Sequence, residues 1–191
     1  MKPVRRVTGR VAVLDRPDVD TDQIMPKQFL KRIERTGFGE SVFYDWRKEP
    51  GFELNQPAYA GASVLITGRN FGCGSSREHA AWGLQGYGFD VIVAPSFSDI
   101  FRPNASKIGL LAITLSDDEV RSLIESVDTE RGSEVTVDLE ACTITAPDGR
   151  VIPFDFDETT RYRLLNGLDE IAVTLQHEEE IAAYEAARRS A

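Results

Sequence analysis

The segment Gly68-Arg-Asn-Phe-Gly72-Cys-Gly74-Ser-Ser-Arg-Glu-His79 concentrates the chemistry of this chain. It follows a short apolar run and opens a helical pattern, the setting in which a loop turns backbone N–H groups toward an anion. Gly72 and Gly74 allow backbone conformations and a close ligand approach that a side chain would obstruct. Arg77 adds a full positive charge on a planar fork suited to a carboxylate, with the hydroxyls of Ser75 and Ser76 beside it. Ser75-x-x-Glu78 reads as a capping box, which starts a helix near Ser76 and brings the positive end of its dipole to the same point. Together these residues make a carboxylate or phosphate receptor. Better-known loops do not fit. A Walker loop needs glycine then lysine where this chain has Cys73 and Gly74, and the third glycine of a dinucleotide fingerprint falls on Arg77. The last glycine of a nucleophile elbow falls on Glu78. The plainer alternative is a helix start carrying surface polar residues.

The elements around this loop form a pattern. Residues 4–14 read as a strand or two, followed by an acidic turn over 15–22. Residues 25–33 read as a short helix with Pro26 in its first turn, where proline is tolerated. Lys27, Lys31 and Arg35 fall at i, i+4 and i+8 on it, a basic stripe that is either a solvated face or a docking edge. Residues 34–60 show no clean period, and long irregular segments of this kind commonly touch substrates or partners. Within them Tyr44 and Trp46 either pack beneath the loop or line a pocket. Residues 62–67 then read as a buried strand, about 76–87 as a helix and 90–94 as a strand. Residues 96–108 read as a helix broken by Pro103, 110–115 as a strand, and 116–126 as a helix announced by the box Ser116-Asp-Asp-Glu119. Strand and helix in alternation predict parallel βαβ units. From residue 134 the pattern changes to short alternating strands at 134–139, 142–146 and 150–156, with a turn at Pro147-Asp-Gly149. Cys142 reads as a buried strand residue. A helix over 157–166 stops at Asn166-Gly167, and a helical tail follows.

Composition narrows the classes. The chain has 191 residues with 31 Asp+Glu against 22 Lys+Arg, a net charge of −9, which argues against nucleic-acid backbone binding as its task. A hydrophobic content of 41% with 28% charged residues describes an ordinary globular chain. No apolar run approaches the ~20 residues of a membrane span. The basic N-terminus lacks the apolar stretch of a signal peptide, which points to the cytoplasm. Cys73 and Cys142 form no CxxC pair, and with His79 and His177 as the only histidines a zinc site is short of ligands. The expectation is one α/β domain over 1–191, with an antiparallel flap and a helical tail over about 157–191.

GRNFGCGSSREHAAWGL (68–84) resembles the GSSREH signature of the aconitase superfamily's swivelling domain, and FRPNASKIGLL (101–111) resembles its second motif. VDTDQIMP (19–26) and RTGFGESVFYDWR (35–47) resemble the isopropylmalate branch, the separate small subunits of bacterial 3-isopropylmalate dehydratases. The resemblance spans nearly the whole chain. It implies a swivelling β/β/α domain, a mixed sheet or partial barrel flanked by helices. It also implies isomerisation of 2-isopropylmalate to 3-isopropylmalate, by dehydration and rehydration, in leucine biosynthesis. In that family a [4Fe–4S] cluster sits on three cysteines of a large subunit; this chain, with two isolated cysteines, would bind none and would work only with that partner on a small dicarboxylate. Ser75 resembles the family's base, and Ser76 and Arg77 resemble the groups that hold the substrate carboxylate. Gly72, Gly74, His79, Asn104 and Lys107 would support them, although His79 reads first as a structural hydrogen-bonding residue, and Asn104 and Lys107 read equally as a cap and a solvated lysine. No role is placed on Cys73. The alternatives are a related hydro-lyase of homoaconitate or methylmalate type, or a non-enzymatic anion-binding regulatory domain.

Overall fold

Strand β1 (Arg6–Leu14) sets the architecture because its two halves have different partners. In the computed structural model, which describes residues 1–31, 36–75, 77–127 and 132–189, Val11–Leu14 pair in parallel with β2 (Val64–Thr67). Arg6–Arg10 pair antiparallel with β5 (Glu134–Asp138). Strands β3 (Val91–Ala94) and β4 (Leu111–Thr114) continue the parallel side, and β6 (Thr143–Thr145) and β7 (Val151–Pro153) continue the antiparallel side. The seven strands run in the order β4-β3-β2-β1-β5-β6-β7. The result is a curled mixed sheet, a half-barrel flanked by helices; the sequence pattern predicts its parallel units and antiparallel flap, and the resemblance implies the partial barrel.

Burial follows the pairing. VLIT of β2 and VIVA of β3 are buried along their whole length, because parallel strands are covered on both faces. In β5 and β7 burial alternates along the strand, the mark of a sheet wet on one face. The helices are α1 (Thr21–Ile24), α2 (Glu78–Tyr87), α3 (Phe101–Ile108), α4 (Asp117–Glu125), α5 (Glu158–Asn166), α6 (Glu170–Leu175) and α7 (Glu178–Arg189). Helix α2 buries Ala80, Ala81, Gly83 and Leu84. Residues 36–60 form successive 3-10 turns, fastened by the buried Phe38, Val42, Phe43, Phe52, Leu54 and Tyr59. Each such side chain contributes ~1.5–3 kcal/mol relative to exposure, which holds the long irregular segment without regular structure.

Three expectations need correction. The helix expected over 25–33 is displaced: α1 starts at Asp20, whose carboxylate caps Gln23 while the Gln23 side chain caps Asp20 in return. Helix α1 stops at Met25, whose φ of −135° and ψ of 94° are extended, because the ring of Pro26 disfavours helical backbone in the residue before it. A 3-10 turn, Lys27–Phe29, follows, and residues 32–35, Arg35 included, lie outside the described residues. Pro103 does not break a helix either. Helix α3 begins only at Phe101, which places Pro103 in the first turn, where its missing N–H costs no hydrogen bond. Cys142 is not in a strand: it is half-buried in the turn before β6, at φ +52°, with its thiol 3.5 Å from the Leu139 carbonyl. The Ser116 capping box does form as expected, with the Glu119 N–H on its hydroxyl.

Candidate functional site

The loop between β2 and α2 is strapped on both sides. On one side, Asp18 N–H donates to the Arg69 carbonyl at 2.9 Å and Gly72 N–H to Val19 at 2.8 Å. Thr21 gives its N–H to Cys73 O at 2.8 Å and its hydroxyl to Ser75 O at 3.1 Å. Asn70 and Asp18 both sit at positive φ, which Asn and Asp tolerate better than most residues, and the Asn70 amide donates to the Asp18 carboxylate at 2.7 Å. On the other side Phe71 N–H donates to Ser96 O, and Ser98 Oγ to Gly72 O at 2.6 Å. Gly72 has φ +74° and leaves no room for a Cβ, which would stand 2.4 Å from Phe101 Cγ. Gly74 at φ +88° then turns the chain outward.

Ser75 is exposed at the tip of this turn, and its hydroxyl makes no hydrogen bond among the described residues. The expected capping box at Ser75 does not form. Helix α2 begins at Glu78 with Arg77 as its N-cap and no side-chain cap, two residues later than the box requires. The Ser75 carbonyl accepts from the Thr21 hydroxyl and from Arg77 N–H at 2.8 Å, and Arg77 itself is extended at φ −113° and ψ 121°. Ser76 lies outside the described residues.

The Arg77 side chain is 24% exposed, and its Nη1 donates to Asp22 Oδ1 at 2.6 Å. The other Asp22 oxygen lies 3.2 Å from Lys27 Nζ. Arg77, Glu78 and His79 line an open recess of about 460 Å³ together with Leu30 and Asn104, so α3 does bring Asn104 to this loop. His79 meets Phe38 edge-on at 5.3 Å and Trp82 at 4.8 Å, ring packing that fixes its plane. Lys107 is not brought here; it reaches Glu170 of α6 at 3.4 Å. Tyr44 packs on Phe29 under Lys48, and Trp46 stacks on Phe43 beneath Arg16, so neither lines the recess. Burial, and then the nearby carboxylates of Asp20 and Asp18, push the Cys73 thiol up, which keeps it protonated. The arrangement combines an anchored guanidinium and a free hydroxyl at the C-terminal end of a parallel strand, where open α/β sheets bind ligands. It can receive a carboxylate and accept a proton beside it.

The family model for the Aconitase C-terminal domain matches residues 1–118. The LeuD_N model matches 121–158, and the model for the C-terminal domain of the 3-isopropylmalate dehydratase small subunit matches 170–191. The 3-isopropylmalate dehydratase small subunit of Rubrobacter xylanophilus is 53% identical over 188 residues, covering 98% of this chain and 96% of that protein. The chain belongs to the family of 3-isopropylmalate dehydratase small subunits. Another member, from Clavibacter michiganensis, is 52% identical over 190 residues, 100% of this chain and 93% of that one. A crystal structure of 3-isopropylmalate dehydratase from Methanocaldococcus jannaschii superposes with a TM-score of 0.69 at 25% identity, covering 94% of this chain and 99% of that one.

An iron–sulfur cluster, which the aconitase-type family implies, does not fit the donors of this family member. Its two cysteines stand apart, the second beside Arg161 at 3.3 Å, and among the described residues no three His, Cys, Asp or Glu side chains converge. Sequence reasoning from the glycine-rich loop missed Asp22 and Thr21, which anchor Arg77 and the Ser75 carbonyl. A signal was present in Asp20-x-x-Gln23, a capping box that sets the helix carrying both residues.

Proposed function

We propose that this chain is the small subunit of a 3-isopropylmalate dehydratase in the cytoplasm, acting in leucine biosynthesis as one domain over residues 1–191. It contributes Ser75, Ser76 and Arg77 to a site completed by a large subunit. The observation that carries this reading is the unengaged Ser75 hydroxyl, two residues from a guanidinium that is already anchored. Arg77 receives a substrate carboxylate on the N–H groups that Asp22 leaves open, a charge-assisted contact that also fixes register. Ser75 takes the proton α to that carboxylate, while the hydroxyl leaves the neighbouring carbon to give an alkene diacid. Rehydration returns both groups in exchanged positions. A serine oxygen holds that role only where a cation and backbone donors favour its charged form. Gly72 and Gly74 shape the turn that offers it, and His79 and Asn104 wall the recess beside Arg77. The [4Fe–4S] cluster of the large subunit supplies the Lewis acid for the substrate hydroxyl.

The test is reconstitution. The chain alone should neither hold stoichiometric iron nor turn over 2-isopropylmalate, and activity should appear on mixing with a cluster-bearing large subunit. Turnover by the isolated chain refutes the two-subunit reading. A mixed enzyme that prefers homoaconitate or methylmalate refutes the substrate assignment.

A further inference from the structure

A groove of about 590 Å³ runs between α3, the loop after β3 and α5, and it shares no lining residue with the recess at Arg77. Arg102 enters it from α3 and Arg163 from α5. Neither guanidinium makes a hydrogen bond or ion pair among the described residues, and Arg163 Nε is sealed from solvent with no acceptor. The other charges of the groove are largely engaged. Lys107 pairs with Glu170 at 3.4 Å, and the Asp157 carboxylate caps α5 by accepting from Thr160 N–H at 2.7 Å. The bonds from Thr160 hold the Asp157 carboxyl below its ordinary value, and the charge of Arg102 adds a lesser pull without a direct bond. Asp99 is exposed. The Ser106 and Ser98 hydroxyls are used on the Arg102 and Gly72 carbonyls. The open valences are therefore two planar forks facing a space large enough for a small molecule.

We propose that this groove is a second anion site, taking a small oxyanion of two negative charges through Arg102 and Arg163. Phosphate and a short dicarboxylate share that chemistry, and separate titrations distinguish them. The site would be linked to the first by structure: Ser98, on its wall, holds the Gly72 carbonyl, and α3 carries both Arg102 and Asn104.

The experiment is calorimetric titration of the full chain with inorganic phosphate and, separately, with malate, at constant ionic strength. At least one should bind saturably, and Arg163→Gln or Arg102→Gln should each weaken it about 10-fold or more. Arg77→Gln should leave that binding in place, which separates this groove from the recess. Melting curves establish that the variants are folded; Arg102→Gln removes a side chain with no hydrogen-bonded partner, so it keeps the test open if Arg163→Gln unfolds. Absence of saturable binding by the unmutated chain overturns the proposal. So does binding that survives both groove substitutions, or that is lost only with Arg77→Gln.

Discussion

Ser75 and Arg77 are two residues apart, and single substitutions separate the roles proposed for them. Because α2 takes its N-cap from Arg77 without a side-chain bond, the Ser75 hydroxyl contributes nothing to starting the helix. Ser75→Ala should therefore leave Tm within about 2 °C, whereas loss of a true cap costs ~0.5–2 kcal/mol. The same variant should lower kcat of the assembled enzyme by roughly 10²–10⁴. Thermal unfolding of the chain paired with kcat at equal cluster content decides it; a destabilised but active variant would remove Ser75 from catalysis. Arg77→Lys keeps the charge and loses the fork that holds Asp22 and, on the proposed reading, a substrate carboxylate as well. One charge-assisted bond is worth ~1.5–3 kcal/mol, so kcat/KM should fall roughly 10- to 150-fold. Unchanged kinetics would place Arg77 outside the site.

At the scale of elements, the glycine-rich loop depends on contacts between segments distant in sequence. Gly72 presses on Phe101 at the start of α3, so Gly72→Ala meets both a positive φ and a side-chain collision. It should cost at least about 2 kcal/mol, or about 4–8 °C in Tm for a chain of this size. A melting point equal to the parent's would mean that the loop and α3 do not touch as described. A second tie joins the segment just after β1 to the 3-10 turn Glu53–Asn55 through the two-pronged bond of Arg16 to Glu53, at 2.9 and 2.8 Å. Burial alone would raise the Glu53 carboxyl, but the bond from Arg16 and a backbone N–H bring it below its ordinary value of 4.5. A carboxyl lowered in the folded state stabilises it above the unfolded pKa, and that contribution is lost as pH falls through the folded value. Glu53→Gln should thus be less stable than the parent at pH 7, with the gap closing as pH drops below about 4. Denaturant titrations at several pH values measure it, and a gap constant with pH would contradict the assignment.

For the molecule as a whole, the sheet and its covering segments contain the buried residues, while α6 and α7 bury none among the described residues. Tyr184, Ile171 and Leu175 of these helices are among the most exposed large apolar side chains. Deleting residues 177–191 should therefore shift Tm by less than about 2 °C, since little apolar area leaves the core. A loss of 5 °C or more would show that α7 packs on the sheet. The first turns of α4 and α7 each carry three carboxylates, part of the chain's net charge of −9.

The sequence alone determined the parallel strands, the alternating flap, the Ser116 cap and the position of the glycine-rich loop. These depend on period, side-chain volume and hydrogen bonds within a few residues, all of which are local. It also carried the family resemblance that full-length relatives bear out. It did not reveal that α1 precedes Pro26 rather than spanning it, although the Asp20-Gln23 cap and the proline rule were both readable. The site's second half was decided by tertiary structure. Asp22 and Arg77 are 55 residues apart and meet only because β1 and β2 pair in parallel, which brings the loops at their C-terminal ends together. The same pairing turns the Ser75 carbonyl toward Thr21 and cancels a capping box that is complete in the local sequence. A local motif forms when nothing distant competes for its backbone, and here a strap from the preceding βα connection competes and wins.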